Sequence, residues 1–154
     1  MCPAFVIMKR IVDKVFTVRA PLALAWGHLA AVEKWPSWAK HIRSVEKLPP
    51  GPLCVESHGI LRLSNGVKTT FQMTEFEPPK HWKWVGSFLG VAVAYDHIFS
   101  ESGPAQTTIR FVVDAEGWPL PLVGGIFRRI YRKNLDRAVP LLIQEIEAAA
   151  SSKR

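Results

Sequence analysis

The side chains with the most chemistry to offer lie in the run Tyr95-Asp96-His97-Ile98-Phe99. Alternation along a strand puts Tyr95, His97 and Phe99 on one face, and histidine is the side chain whose charge changes nearest neutral pH. If that face lines a cavity, His97 can donate a hydrogen bond to a bound carbonyl or transfer a proton. If it faces outward, or a neighbour satisfies it, it does neither. The other histidines, His28, His41, His58 and His81, form no H-x-H or H-E-x-x-H pair, and Cys2 and Cys54 stand far apart in no metal spacing. The reading is therefore no metal and no cofactor. There is no phosphate loop ending in Lys-Thr and no nucleophile-elbow serine. Asp96 and Arg110 fall on adjacent strands and could pair, with a structural salt bridge outranking a catalytic couple. Glu56 and His58 repeat at strand spacing, which a solvent-facing strand produces equally well.

Six tryptophans in 154 residues are more than a core of this size needs. Trp35, Trp38, Trp82, Trp84 and Trp118 fall near turns or at the ends of the expected cavity, with Trp82 and Trp84 on one face and Lys83 on the other. Such rings make an apolar wall with a polar handle, suited to ring systems or acyl chains. Ordinary packing explains any single one as well.

The elements that must position these groups follow from periodicity. Ile11 to Arg19 alternates and is β-branched, so it reads as a strand. Leu22 to Val32 reads as a short helix with Pro21 in its first turn. Trp35-Pro36-Ser37-Trp38 breaks it, and a second helical turn carries Trp38 and Ala39. Six strands follow: Ile42 to Leu48, Val55 to Leu63, Val67 to Phe76, His81 to Phe88, Val91 to Ser100, and Gln106 to Glu116. Asn65-Gly66 is a tight-hairpin signal, and the short connections allow antiparallel neighbours only. From Ile126 to Ala148 apolar residues recur at three- and four-residue steps, the pattern of a long amphipathic helix. Pro140 inside it lacks an N–H for the Asp136 carbonyl, so a bend is expected there. The loop from Gly117 to Gly125 before it reads as a lead-in, a gate or a membrane-touching surface.

A sheet with one apolar face and a long helix with one apolar stripe must cover each other. The fold expected is α+β, a seven-stranded antiparallel sheet wrapped around the C-terminal helix, in one domain over residues 1–154. Residues 1–10 read as a flexible extension, with Met1 or Met8 as the start, and no signal peptide or membrane span precedes it. Strand parity selects Phe16, Val18, Phe71, Met73, Trp84, Tyr95, His97, Phe111 and Val113 as the cavity lining, with Trp35 and Trp38 beside them. A register slip of one residue would turn a strand's whole set outward.

Four stretches carry a likeness to a known group: Val18-Arg19-Ala20-Pro21 with Ala25-Trp26; Trp35-Pro36-Ser37-Trp38; Thr74-Glu75-Phe76-Glu77-Pro78-Pro79 with Trp82-Lys83-Trp84; and Thr107-Thr108-Ile109-Arg110 to Gly117. In that order the chain, from about residue 11 to 148, resembles the START-like, helix-grip superfamily. It is most similar to its SRPBCC branch of polyketide cyclases, dehydrases and lipid-transport proteins. The resemblance implies the helix-grip fold with two short helices after the first strand. It leaves activity open, since members carry, cyclise, dehydrate or sense different apolar molecules.

Composition narrows the rest. Apolar residues make up 48% of the chain and charged ones 21%, proportions of a folded soluble domain. Free thiols point to a reduced, cytoplasmic setting. The net charge is +7, and Arg128, Arg129, Arg132, Lys133 and Arg137 against Asp136 leave +4 within ten residues. That cluster reads as a solvated helix face or as weak contact with anionic membrane. Without any zinc-finger, RNP-like or helix-turn-helix pattern, nucleic acid is disfavoured. Three functions stay open. One is an intracellular carrier or sensor of a hydrophobic small molecule or lipid. Another is a cyclase or dehydratase with His97 as acid/base and Tyr95 or Asp96 assisting. The last is a protein that meets an acidic partner through the basic helix.

Overall fold

The hairpin signal at Asn65-Gly66 shows how local chemistry sets the sheet. Gly66 takes φ +90°, which favours glycine, and the Asn65 side-chain oxygen accepts from the Val67 N–H at 3.0 Å. The computed structural model describes residues 8–88 and 90–152. Its elements are β1 (Lys9–Val18), α1 (Leu22–Ala30), a 3₁₀ helix (Val32–Ser37), β2 (Ile42–Leu48), β3 (His58–Leu63), β4 (Lys68–Glu77), β5 (His81–Phe88), β6 (Val91–Gly103), β7 (Gln106–Glu116) and α2 (Leu120–Ser152). The seven strands form one sheet in the order β1-β7-β6-β5-β4-β3-β2, every neighbouring pair antiparallel. With α2 packed on it, this is the helix-grip architecture.

Several boundaries differ from the sequence reading, each for a local reason. Lys9 and Arg10 belong to β1, paired with Ala115 and Asp114, rather than to an extension; residues 1–7 lie outside the described residues. Val55 to Ser57 is not strand. The Cys54 N–H donates to Ser57 Oγ at 2.8 Å, and the Ser57 N–H returns to the Cys54 carbonyl at 3.1 Å, closing a turn. The second short helix precedes Trp38 and contains Pro36. Trp38 and Ala39 both donate their N–H groups to the Trp35 carbonyl, and the buried rings of Trp35 and Trp38 hold the turn.

The largest difference is at α2, which begins at Leu120 instead of Ile126. Pro119 and Pro121 look like loop residues, but a helix needs no N–H in its first turn. The Pro119 carbonyl accepts from Leu122 and Val123 at 3.0 Å, starting the helix there. Gly117 makes the sharp exit from β7 possible. Its φ is +145°, and a Cβ at this position would lie 2.5 Å from the Gly90 carbonyl oxygen. At the other end α2 continues to Ser152, and it is unbroken through Pro140.

The core beneath α2 has two parts. The larger packs Phe16, Val18, Leu29, Trp82, Trp84, Phe99 and Ile109 against Ala138, Leu142 and Ile146. The smaller gathers Ile11, Val12, Val91, Val93, Val113 and Ala115 under Leu120, with Phe127 and Tyr131 at its margin.

Candidate functional site

Between the two parts of the core lies a cavity of about 240 Å³. Strand pleating sends Trp84, Tyr95, His97, Phe111 and Val113 to the face that α2 covers, and all five line this cavity. Trp35 lines it from the 3₁₀ helix, its indole N–H fixed on the Leu29 carbonyl at 2.8 Å, and Trp38 lines it from the residue just after that helix. Of the residues selected by parity, Phe16, Val18, Phe71 and Met73 face the same way but do not reach the cavity. They are buried in the larger core, with the Phe71 ring 4.4 Å from that of Trp84 and Phe16 5.3 Å from Phe111. Those four support the wall rather than form it.

Other lining residues were not foreseen. Phe127, Tyr131 and Leu135 project from successive turns of α2, while Leu61, Leu63 and Val67 come from the β3–β4 hairpin. The four-residue spacing of Phe127, Tyr131 and Leu135 is visible in the sequence. It reads as generic core stripe because nothing local says that the opposing sheet leaves space.

His97 sits at the inner end. It is 6% exposed, stacks on Trp82 with 4.3 Å between ring centres, and meets Trp84, Phe111 and Trp35 at 5.2, 5.6 and 5.7 Å. Its Nδ1 is buried and has no hydrogen-bond partner among the described residues. Burial pushes its pKa from 6.5 down to about 3; a backbone hydrogen bond with Trp82 opposes the shift and the charge of His81 adds to it. The imidazole is therefore neutral near pH 7.

A second polar group faces the cavity from the sheet and α2 together. Tyr95 and Tyr131 share a hydrogen bond of 2.6 Å between their hydroxyl oxygens. Burial raises both pKa values, that of Tyr95 well above 10, so both phenols keep their protons. One proton serves the bond between them; the other is free to donate to a bound acceptor.

The outer face of the sheet is charged. Arg110 does not pair with Asp96. Its Nε and Nη2 hold the Asp13 carboxylate on β1 at 2.8 and 2.6 Å, which lowers the Asp13 pKa. Asp96 is engaged on its other side by His81, with Lys83 Nζ 3.9 Å away. The donor atoms of Glu75, His81 and Asp96 lie within 4.8 Å of one another on three adjacent strands, the grouping among the described residues that could hold a cation. Lys83 competes for that role. A cross-strand trio has no linear spacing, which is why a search for H-x-H pairs passes over it. The basic residues Arg128, Arg129, Arg132, Lys133 and Arg137 border an open trough whose walls all belong to α2, so it is a surface and not a cavity.

No helix of the described residues is long and apolar enough to cross a membrane. Solved structures share the fold. A START superfamily protein from Mycobacterium smegmatis is similar over 90% of this chain and 97% of its own, with TM-score 0.68 and 16% identity. The Zhui aromatase/cyclase from Streptomyces sp. R1128 covers 94% of both chains at TM-score 0.66 and 18% identity. A hypothetical protein from Helicobacter pylori matches 86% of this chain and 85% of its own at TM-score 0.74 and 12% identity. At such identities the likeness is one of fold. No curated protein matches the sequence. The model of one family, described as polyketide cyclase / dehydrase and lipid transport, matches residues 9–142. With the helix-grip fold and an aromatic cavity under α2, the chain belongs to the polyketide cyclase/dehydrase and lipid transport family.

Proposed function

We propose that this protein binds and carries a small hydrophobic molecule in the cavity between the sheet and α2. The observation that carries this reading is the character of the cavity: rings of Trp35, Trp38, Trp84, Phe111 and Phe127 around two neutral polar handles, His97 and the Tyr95–Tyr131 pair. Apolar walls supply affinity, and a few placed polar groups orient the guest. At about 240 Å³ the space falls below the roughly 300–1,000 Å³ of drug-sized sites, which suits a compact ring system better than a two-chain lipid. A bound carbonyl or phenol fits the free tyrosine proton, and the unpartnered His97 Nδ1 offers a second contact.

The alternative reading, a cyclase or dehydratase with His97 as acid/base, has in its favour that His97 is buried and lines the cavity. Against it stands a pKa of about 3, far from the operating pH at which proton transfer by a side chain is most effective.

Native mass spectrometry of gently purified protein tests the first reading. One equivalent of an apolar small molecule is expected, and Tyr131→Phe with His97→Phe should weaken its retention. Protein that carries no guest, and takes up no apolar aromatic dye at the cavity, would overturn the proposal.

A further inference from the structure

Seven large hydrophobic side chains are conspicuously exposed among the described residues, and four of them fall between residues 118 and 130. They are Trp118 and Leu122, each 80% exposed, Ile126 at 62% and Ile130 at 49%. Their spacing is four residues throughout. On an α-helix each such step drifts about 40° around the axis, so the row winds from the outward side of α2 toward Ile130, which also lines the cavity. At about 100° per residue, Arg129, Lys133 and Arg137 occupy the same outward arc as Leu122 and Ile126. All three are exposed, and the one acidic residue of that arc, Asp136, is drawn to Lys14 at 3.1 Å. Arg128 differs from its neighbours: its guanidinium is turned back onto the carbonyls of Ile11 and Arg10.

We propose that the first half of α2 is a docking surface for an anionic lipid bilayer. Trp118, Leu122 and Ile126 enter the headgroup boundary while Arg129, Arg132, Lys133 and Arg137 meet the acidic headgroups. An apolar row flanked by cations on one exposed helix face is what an interfacial helix presents. The apolar row decides between partners, since a duplex nucleic acid or an acidic peptide would be met by charge alone. Docking in this pose brings the Ile130 margin of the cavity to the membrane, so a guest would pass between bilayer and protein without crossing water. The surface goes beyond the binding reading and stands apart from it: a cavity that takes no guest leaves the docking result unchanged.

The test is flotation of the full chain with vesicles of phosphatidylcholine and phosphatidylglycerol against vesicles of phosphatidylcholine alone. Binding to the anionic vesicles is expected, weakened by salt, with a blue shift of fluorescence that Trp118→Phe abolishes, since Trp35, Trp38, Trp82 and Trp84 are already buried and Trp26 is packed against the same core. Leu122→Ser with Ile126→Ser should reduce partitioning at least tenfold, and Arg129→Gln with Lys133→Gln roughly thirtyfold. Both pairs lie on the exposed face, so unchanged thermal melts show that the fold is kept. Three results overturn the proposal: equal recovery with neutral and anionic vesicles, no loss on removing the apolar pair, or binding to duplex DNA or polyglutamate as strong as to vesicles.

Discussion

The two halves of α2 belong to one helix but to different environments. From Ala138 to Ala150 its inward residues Ala138, Val139, Leu142, Ile146 and Ala150 are buried in the larger core. Before Ala138 only Leu120 is buried, over the smaller core, and from Phe127 to Leu135 the helix roofs a cavity. Both halves are tied sideways, the second by His28 and Ser37 reaching Glu145 at 3.0 Å and the Arg19 N–H reaching Glu147 at 2.9 Å, the first by Tyr95 on Tyr131, Lys14 on Asp136 and Arg128 on the Ile11 carbonyl, so burial is what separates them. The difference shows how one element divides its duties: the half that fills the core holds the fold, and the half that leaves space is available for guests and partners.

That division is broken most directly by the same substitution in each half. Leu142→Ala should cost about 2–5 kcal/mol in urea unfolding, as large-to-small changes in a closed core do. Leu122→Ala should cost less than about 0.5 kcal/mol, as an exposed surface change. Equal losses would mean the first half is as integral as the second.

His97 lies where the hollow and packed ends meet, and it should govern acid stability. Between its ordinary value of 6.5 and its folded value of about 3, the unfolded chain takes a proton that the folded chain refuses. Its contribution is thus complete above pH 6.5 and falls on acidification by about 1.4 kcal/mol per pH unit down toward pH 3. His97→Phe should flatten that limb of a stability–pH curve measured by denaturant midpoints. A curve of unchanged steepness would assign the acid limb elsewhere.

Pro140 stands just past the junction, exposed, and denies the Asp136 carbonyl its helical donor. Pro140→Ala should raise stability by about 1–3 kcal/mol, read as a higher melting temperature. If the junction lets the first half move, the variant also takes up apolar dye more slowly. The smallest effect is expected at Gly125, where a Cβ would meet nothing within 4 Å. Gly125→Ala should add up to about 1 kcal/mol, and less if the first turns fray in solution, which amide exchange would report.

Much of the sheet was legible because its signals are local. Alternation and turn residues placed β2, β5 and β7 at their observed boundaries, and parity put Phe16, Val18, Phe71 and Met73 on the same face as Trp84 and His97. What escaped depends on contacts across the chain. Nothing near Arg110 says that Asp13, 97 residues away, outcompetes Asp96 for its guanidinium. Nothing near Tyr131 says that its hydroxyl finds Tyr95. The start of α2 escapes for the opposite reason: Pro119 and Pro121 read as loop although the first turn of a helix accepts proline, and Gly124 and Gly125, which also read as loop, are carried in its second turn.

The pairing of β1 with β7 sets the order in which the domain can be completed. Lys9 lies opposite Ala115 and Val18 opposite Thr107, so β1 takes its one sheet neighbour among the described residues from β7, about a hundred positions further along the chain. Strands β2 to β7 can assemble hairpin by hairpin as they emerge from a ribosome, each onto the one before it. β1 must wait, its apolar side unmatched, until about a hundred residues have been made, and long-range closure of this kind slows folding. During synthesis β1 is thus a segment in need of protection from other chains.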